Sequence, residues 1–136
     1  MLKRYVTLLF FILTSTCSTL AVAEEEQNGP TFAYYTLSPD LTTNVYAEGQ
    51  RLAYLQVRVD LMVADSAYVA ELEQHAPLIR DAIVEQIGQL TQEQAKTLAG
   101  REALRKQLKD SLNNLLVAET GKTLIADLLF TKYLYQ

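Results

Sequence analysis

Polarity alternates strictly along Arg51–Val63. Ala53, Leu55, Val57, Val59, Leu61 and Val63 fall on one side, and Tyr54, Gln56, Arg58 and Asp60 on the other. A period of two describes a strand with one face on a core and the other wet or half covered. Upstream, Thr31–Leu37 (TFAYYTL) is aromatic and β-branched, which predicts another strand. Ser38-Pro39-Asp40 breaks it, Leu41–Tyr46 is a short extended piece, and Glu48-Gly49-Gln50 is a turn.

After Val63 the period changes. Asp65 is placed to cap a helix. Tyr68, Leu72, Ala76, Ile79, Ile83, Ile87 and Leu90 then recur every three or four residues, an amphipathic helix. Pro77 interrupts it, because proline removes a helical hydrogen bond and collides with the carbonyl of Glu73. A kink is expected there, or a break with Pro77 restarting the helix at its first position. Thr91–Lys96 reads as a polar link. Thr97 caps a second helix with a buried stripe of Leu98, Leu104, Leu108, Leu112, Leu115 and Leu116. Gly100 lies in its first turn, at a cost of about 1 kcal/mol against alanine, and suits close packing. Gly121 suits the left-handed position past its end.

Leu124–Gln136 is the last strand, ending in FTKYLYQ. It must return to the sheet built by the first strands, and pairing there would tie it down. Simple alternation puts Phe130 and Leu134 on one face, with Tyr133 and Tyr135 on the other. The expected fold is α+β, an antiparallel sheet packed against two amphipathic helices.

The first 23 residues belong to a different class of segment. Lys3 and Arg4 form a basic start, Tyr5–Leu13 is apolar, Ala21-Val22-Ala23 is a cleavage site, and three glutamates follow. That order is a secretory signal peptide. An uncleaved anchor over Tyr5–Ala23 and a lipidated Cys17 are the alternatives. Each places the domain outside the cytoplasm. The expected organisation is residues 1–23 as signal peptide or weak membrane anchor, 24–30 as flexible leader, and 31–136 as one periplasmic domain.

Charge narrows the partners. The net charge is −4 at pH 7, and losing Lys3 and Arg4 would make the chain more acidic. An acidic domain is a poor binder of nucleic acid or anionic lipid, so membrane contact is expected only through the N-terminus or partners. Cys17 is the only cysteine, so the domain relies on its core and not on disulfides.

Catalytic patterns are missing. His75 is the only histidine, with no cysteine or carboxylate at ligand spacing. No nucleophile elbow, phosphate loop or zinc-protease motif occurs. Asp110, Glu119 and Asp127 are scattered, and Glu71 and Glu73 do not share a helix face. The eight tyrosines suit half-covered sheet faces and interfaces. No catalytic, cofactor-binding or metal residue is assigned, no cofactor is expected, and the reading is against an enzyme.

Five segments, in order, resemble one family. Tyr35–Val45 (YTLSPDLTTNV), Arg51–Val63 (RLAYLQVRVDLMV), Leu78–Leu90 (LIRDAIVEQIGQL), Gly100–Leu108 (GREALRKQL) with Asn113-Asn114-Leu115-Leu116, and FTKYLYQ resemble motifs of flagellar basal body-associated FliL proteins. The resemblance implies a stomatin-type (SPFH-like) domain, non-enzymatic, associated with flagellar basal-body and stator proteins and supporting torque and motility. It implies partners among those proteins and other FliL-family subunits, with weak self-association or a ring. Localisation would be periplasmic, tethered to or associated with the inner membrane and basal body. The motif residues Ile79, Arg80, Asp81, Gly100 and Phe130 are expected to be packing and helix-surface positions. Typical members have a cytoplasmic stub and a robust membrane helix, whereas this N-terminus reads as four residues, a weak span and a cleavage site. The alternative is therefore a periplasmic stomatin-like envelope scaffold with no motor role.

Overall fold

The computed structural model describes Gly29, residues 31–46, Gly49 and residues 52–136. The N-terminal segment 1–23, most of the leader 24–30, and Glu48, Gln50 and Arg51 lie outside the described residues.

β3 (Ala53–Val63) is the centre of a four-stranded antiparallel sheet. β1 (Ala33–Thr36) and β2 (Leu41–Val45) follow one another along one side of it, against Asp60–Val63 and Ala53–Val57 respectively. β4 (Ile125–Tyr135) runs along the other side, from Leu55 to Val63. The step between β1 and β2 contains a cis Ser38–Pro39 peptide, and Leu37 N–H still donates to Val59 O at 2.9 Å. The six apolar residues of β3 that alternate in the sequence are all buried.

The helices cover one face of this sheet. A 3₁₀ turn at Ser66–Tyr68 leads into α1 (Val69–Gln74) and α2 (Ala76–Gly88). A short α3 (Gln92–Lys96) precedes the long α4 (Leu98–Thr120). α2 packs on β2 and α4 on β4. Ile79, Ile83 and Ile87 of α2 and Leu104, Leu108, Leu112 and Leu116 of α4 are buried between the layers. No helix among the described residues is long and apolar enough to cross a membrane.

Several start and stop signals act as expected. Asp65 accepts from Ala67 N–H at 2.9 Å, and Thr97 Oγ1 accepts from Gly100 N–H at 3.1 Å. Gly121 ends α4 in the left-handed region at φ 75°, its N–H bonded to Val117 O. Pro77 does break the first helix, at His75, but occupies the second position of α2 and not the first.

Four expectations need correction. Among the described residues the fold has four α-helices, not two. The polar link Thr91–Lys96 contains α3, because Thr91 and Gln94 form a reciprocal capping box that satisfies the free N–H groups of a single short turn. Leu98 does not join the buried stripe; it is 83% exposed, because it stands six residues before Leu104, about 120° round the helix from that stripe.

The fourth concerns the faces of β4. Phe130, Tyr133 and Tyr135 lie opposite Val59, Val57 and Leu55, all on the core face. Leu134 lies opposite Gln56 and is 43% exposed. The register skips Thr131 between Phe130 and Lys132, so one extra residue bulges out and inverts the alternation beyond it. Phe130 and Tyr133 then meet edge to face, with ring centroids 5.4 Å apart.

Candidate functional site

Among the described residues no helix covers the second face of the sheet, and its middle is polar. Asp40, at the step between β1 and β2, is the hub. Its carboxylate accepts from Arg58 Nε at 2.8 Å, from Lys132 Nζ at 3.0 Å and from Gln56 Nε2 at 3.2 Å. One side chain thus ties the strand step to β3 and β4. Around this centre, Tyr34, Tyr54, Leu129 and Leu134 leave large apolar surfaces exposed.

The two cations hold the Asp40 carboxyl below the usual carboxylate range, through the Arg58 hydrogen bond first and then that of Lys132. A lowered native value stabilises the fold above the unfolded carboxylate value, near about pH 4, and that contribution is lost as pH falls through the lower native value. The Asp40→Asn variant is therefore expected to lose less stability on acidification below about pH 4 than the parent chain. Melting temperatures measured across that range check this; parallel curves for the two proteins would count against it.

The edge between α4 and β4 is built by the GREALR segment. Gly100 brings α4 against α3 so closely that an added Cβ would lie 2.0 Å from Gln94 O. Arg101 donates to Phe130 O at 3.1 Å, and its guanidinium sits 5.0 Å from the Tyr133 ring centroid. Arg105 forks onto Glu102, at 2.8 and 2.9 Å, and reaches Asp127 at 2.5 Å and Leu128 O at 3.3 Å. Glu102 and Asp127 raise the Arg105 pKa, so it stays charged. Further along α4, the Asn113 amide accepts from Ile125 N–H at 3.1 Å and donates to Ile125 O at 2.9 Å. Asn113→Ala would leave both main-chain groups of this buried residue unpaired, and is expected to cost about 2 kcal/mol in denaturant unfolding. A loss below about 0.5 kcal/mol would mean water replaces the amide.

The remaining sequence candidates are dispersed. Ile79 is buried, Arg80 donates to Pro39 O at 2.6 Å, and Asp81 is exposed. His75 Nδ1 lies 2.8 Å from Glu71 O at the α1–α2 junction. Glu71 pairs with Lys122 at 3.1 Å, Asp127 with Arg105, and Asp110 and Glu119 are exposed. Among the described residues no three His, Cys, Asp or Glu side chains gather into a metal-binding group. What the structure brings together is a set of side chains that shape surfaces. The Asp40 hub and the arginine capping of β4 were missed from sequence, where only the two arginines of the GREALR pattern, Arg101 and Arg105, were a signal for the second.

A family model described as flagellar basal body-associated protein FliL matches residues 34–136. The chain belongs to the FliL family. The flagellar protein FliL of Aquifex aeolicus (strain VF5) is 30% identical over 102 residues, 75% of this chain and 60% of that protein. The chain therefore spans about 60% of the length of that curated relative. FliL proteins are flagellar accessory proteins and are not known as enzymes, and membership supports a flagellar role. In FliL terms, the GREALR segment is the joint between α3, α4 and β4, and FTKYLYQ is the strand that this joint holds.

Proposed function

We propose that this FliL-family chain is a non-enzymatic basal-body and stator-associated protein that supports motor torque through periplasmic protein–protein contacts. The observation that supports this reading is the family match over residues 34–136, nearly the whole described domain. A two-layer α+β domain with one uncovered sheet face is suited to such contacts, since an open face with exposed tyrosine and leucine offers area for a partner. In this reading the domain is of the stomatin type, and neighbouring subunits associate weakly through two different patches, as a ring requires.

The test is motility. The gene is deleted and swimming speed is compared at low and high viscous load, with complementation. A loss that grows with load is the expected result. Unchanged speed at both loads, with no paralogue present, would overturn the motor role and favour an envelope scaffold.

A further inference from the structure

The outer side of β4 is capped along its first half and bare along its second. Tyr54 and Gln136 exchange both main-chain hydrogen bonds, at 2.8 and 2.9 Å. Such pairs alternate in an antiparallel ladder, so Tyr135 and Tyr133, opposite Leu55 and Val57, turn their N–H and C=O groups away from β3. At the other end, α4 meets the outward groups one by one. Asn113 takes both groups of Ile125, Arg105 takes Leu128 O, and Arg101 takes Phe130 O. The Asp127 carboxylate takes Leu128 N–H at 2.8 Å. Beyond the bulge at Thr131 this capping stops. Among the described residues no hydrogen bond reaches the outward main-chain groups of Tyr133 or Tyr135.

The surroundings of the bare half have a definite chemistry. Lys96 Nζ lies 4.9 Å from the Tyr135 ring centroid and Arg101 Cζ lies 5.0 Å from that of Tyr133. Neither cation is in an ion pair among the described residues, although the chain is acidic overall. Both stand on the helix side of the edge. On the opposite side Leu134 is exposed. Next to the bare half, at the capped half, Leu98, Arg101, Glu102, Arg105, Leu129 and Phe130 line a groove of about 330 Å³.

We infer that residues 131–135 of β4 are a strand-addition site for an extended segment of a partner protein with alternating acidic and apolar side chains. Main-chain pairing with Tyr133 and Tyr135 would supply the affinity. Carboxylates on one face would meet Lys96 and Arg101, and apolar side chains on the other would cover Leu134. A second copy of this chain does not fit as well. Two-fold pairing of β4 with β4 would bring Lys96 and Arg101 of both copies to one junction, where like charges repel. The inference concerns purified protein and stands independently of the motor role.

The experiment uses the full-length chain, ¹⁵N-labelled, and an acetylated, amidated eight-residue peptide alternating glutamate and valine. The Tyr133 and Tyr135 amide signals should shift and their hydrogen exchange should slow. The same peptide with lysine for glutamate should bind at least about tenfold more weakly, as should the glutamate peptide to the Lys96→Gln/Arg101→Gln variant. N-methylation of the edge-facing peptide amides should abolish binding. No change at Tyr133 and Tyr135 at about 1 mM peptide would overturn the inference. So would equal binding of the N-methylated or lysine peptide. Protection of these amides that grows with chain concentration, without peptide, would show that a second copy holds the edge and would overturn it too.

Discussion

Gly100→Ala is expected to destabilise the domain by about 3 kcal/mol, and to lower its melting temperature by roughly 15 °C. Two effects of opposite sign compete at this position. Alanine is the better helix former by about 1 kcal/mol, which favours the variant. Against this, the new methyl group would lie 2.0 Å from Gln94 O, 2.7 Å from its carbonyl carbon and 2.8 Å from its Cα. These are main-chain atoms, so no rotamer change relieves the clash. Nor can α3 easily retreat: Gln94 is held by its capping box with Thr91, through bonds of 2.9 and 3.3 Å. The overpacking therefore outweighs the propensity. Gly88→Ala is the control, because an added Cβ there meets nothing within 4 Å. It is expected to stabilise the domain by about 0.5–1 kcal/mol. Thermal melts of both variants decide the matter; equal shifts would mean that the contact between α3 and α4 is not tight.

The second large effect separates two leucines of α4. Leu108 is fully buried, and Leu108→Ala is expected to cost about 3 kcal/mol, from lost burial and the cavity left behind. Leu98 heads the same helix but is 83% exposed, and Leu98→Ala is expected to stay within about 0.5 kcal/mol. Denaturant unfolding gives both values. Comparable losses would place Leu98 in a contact that α4 does not show, and would contradict its exposure.

The strand and helix framework was largely legible. β3 could be read without error in its faces because its alternation runs unbroken from Ala53 to Val63. The leucine stripe of α4 was equally plain from Leu104 to Leu116, since four successive turns repeat it. The ends of elements were less secure. Leu98 stands six residues before Leu104, about 120° round the helix from the stripe, so its spacing could have excluded it. α3 is a single polar turn with one buried residue, Ala95, so hydrophobic period could not reveal it. Its capping box was present as Thr91 and Gln94, three residues apart, and is the signal that could have found it.

The candidate interaction surfaces were much less legible. Asp40 and Lys132 stand 92 positions apart, and Arg105 and Asp127 stand 22 apart. Neither pairing has any local pattern. The faces of Tyr133 and Tyr135 depend on the bulge at Thr131, which is a property of how β4 pairs with β3.

Local chemistry therefore settled the long elements of this FliL-family chain, its glycine stop at Gly121, its acidic charge and the buried faces of β3, α2 and α4. These follow from the period of apolar residues and from backbone preferences, which act over a few neighbours. Tertiary structure decided which cations find carboxylates, which face the last two tyrosines take, and which half of β4 stays uncapped. Those outcomes depend on distant segments arriving at one place, where main-chain groups must find partners or remain open.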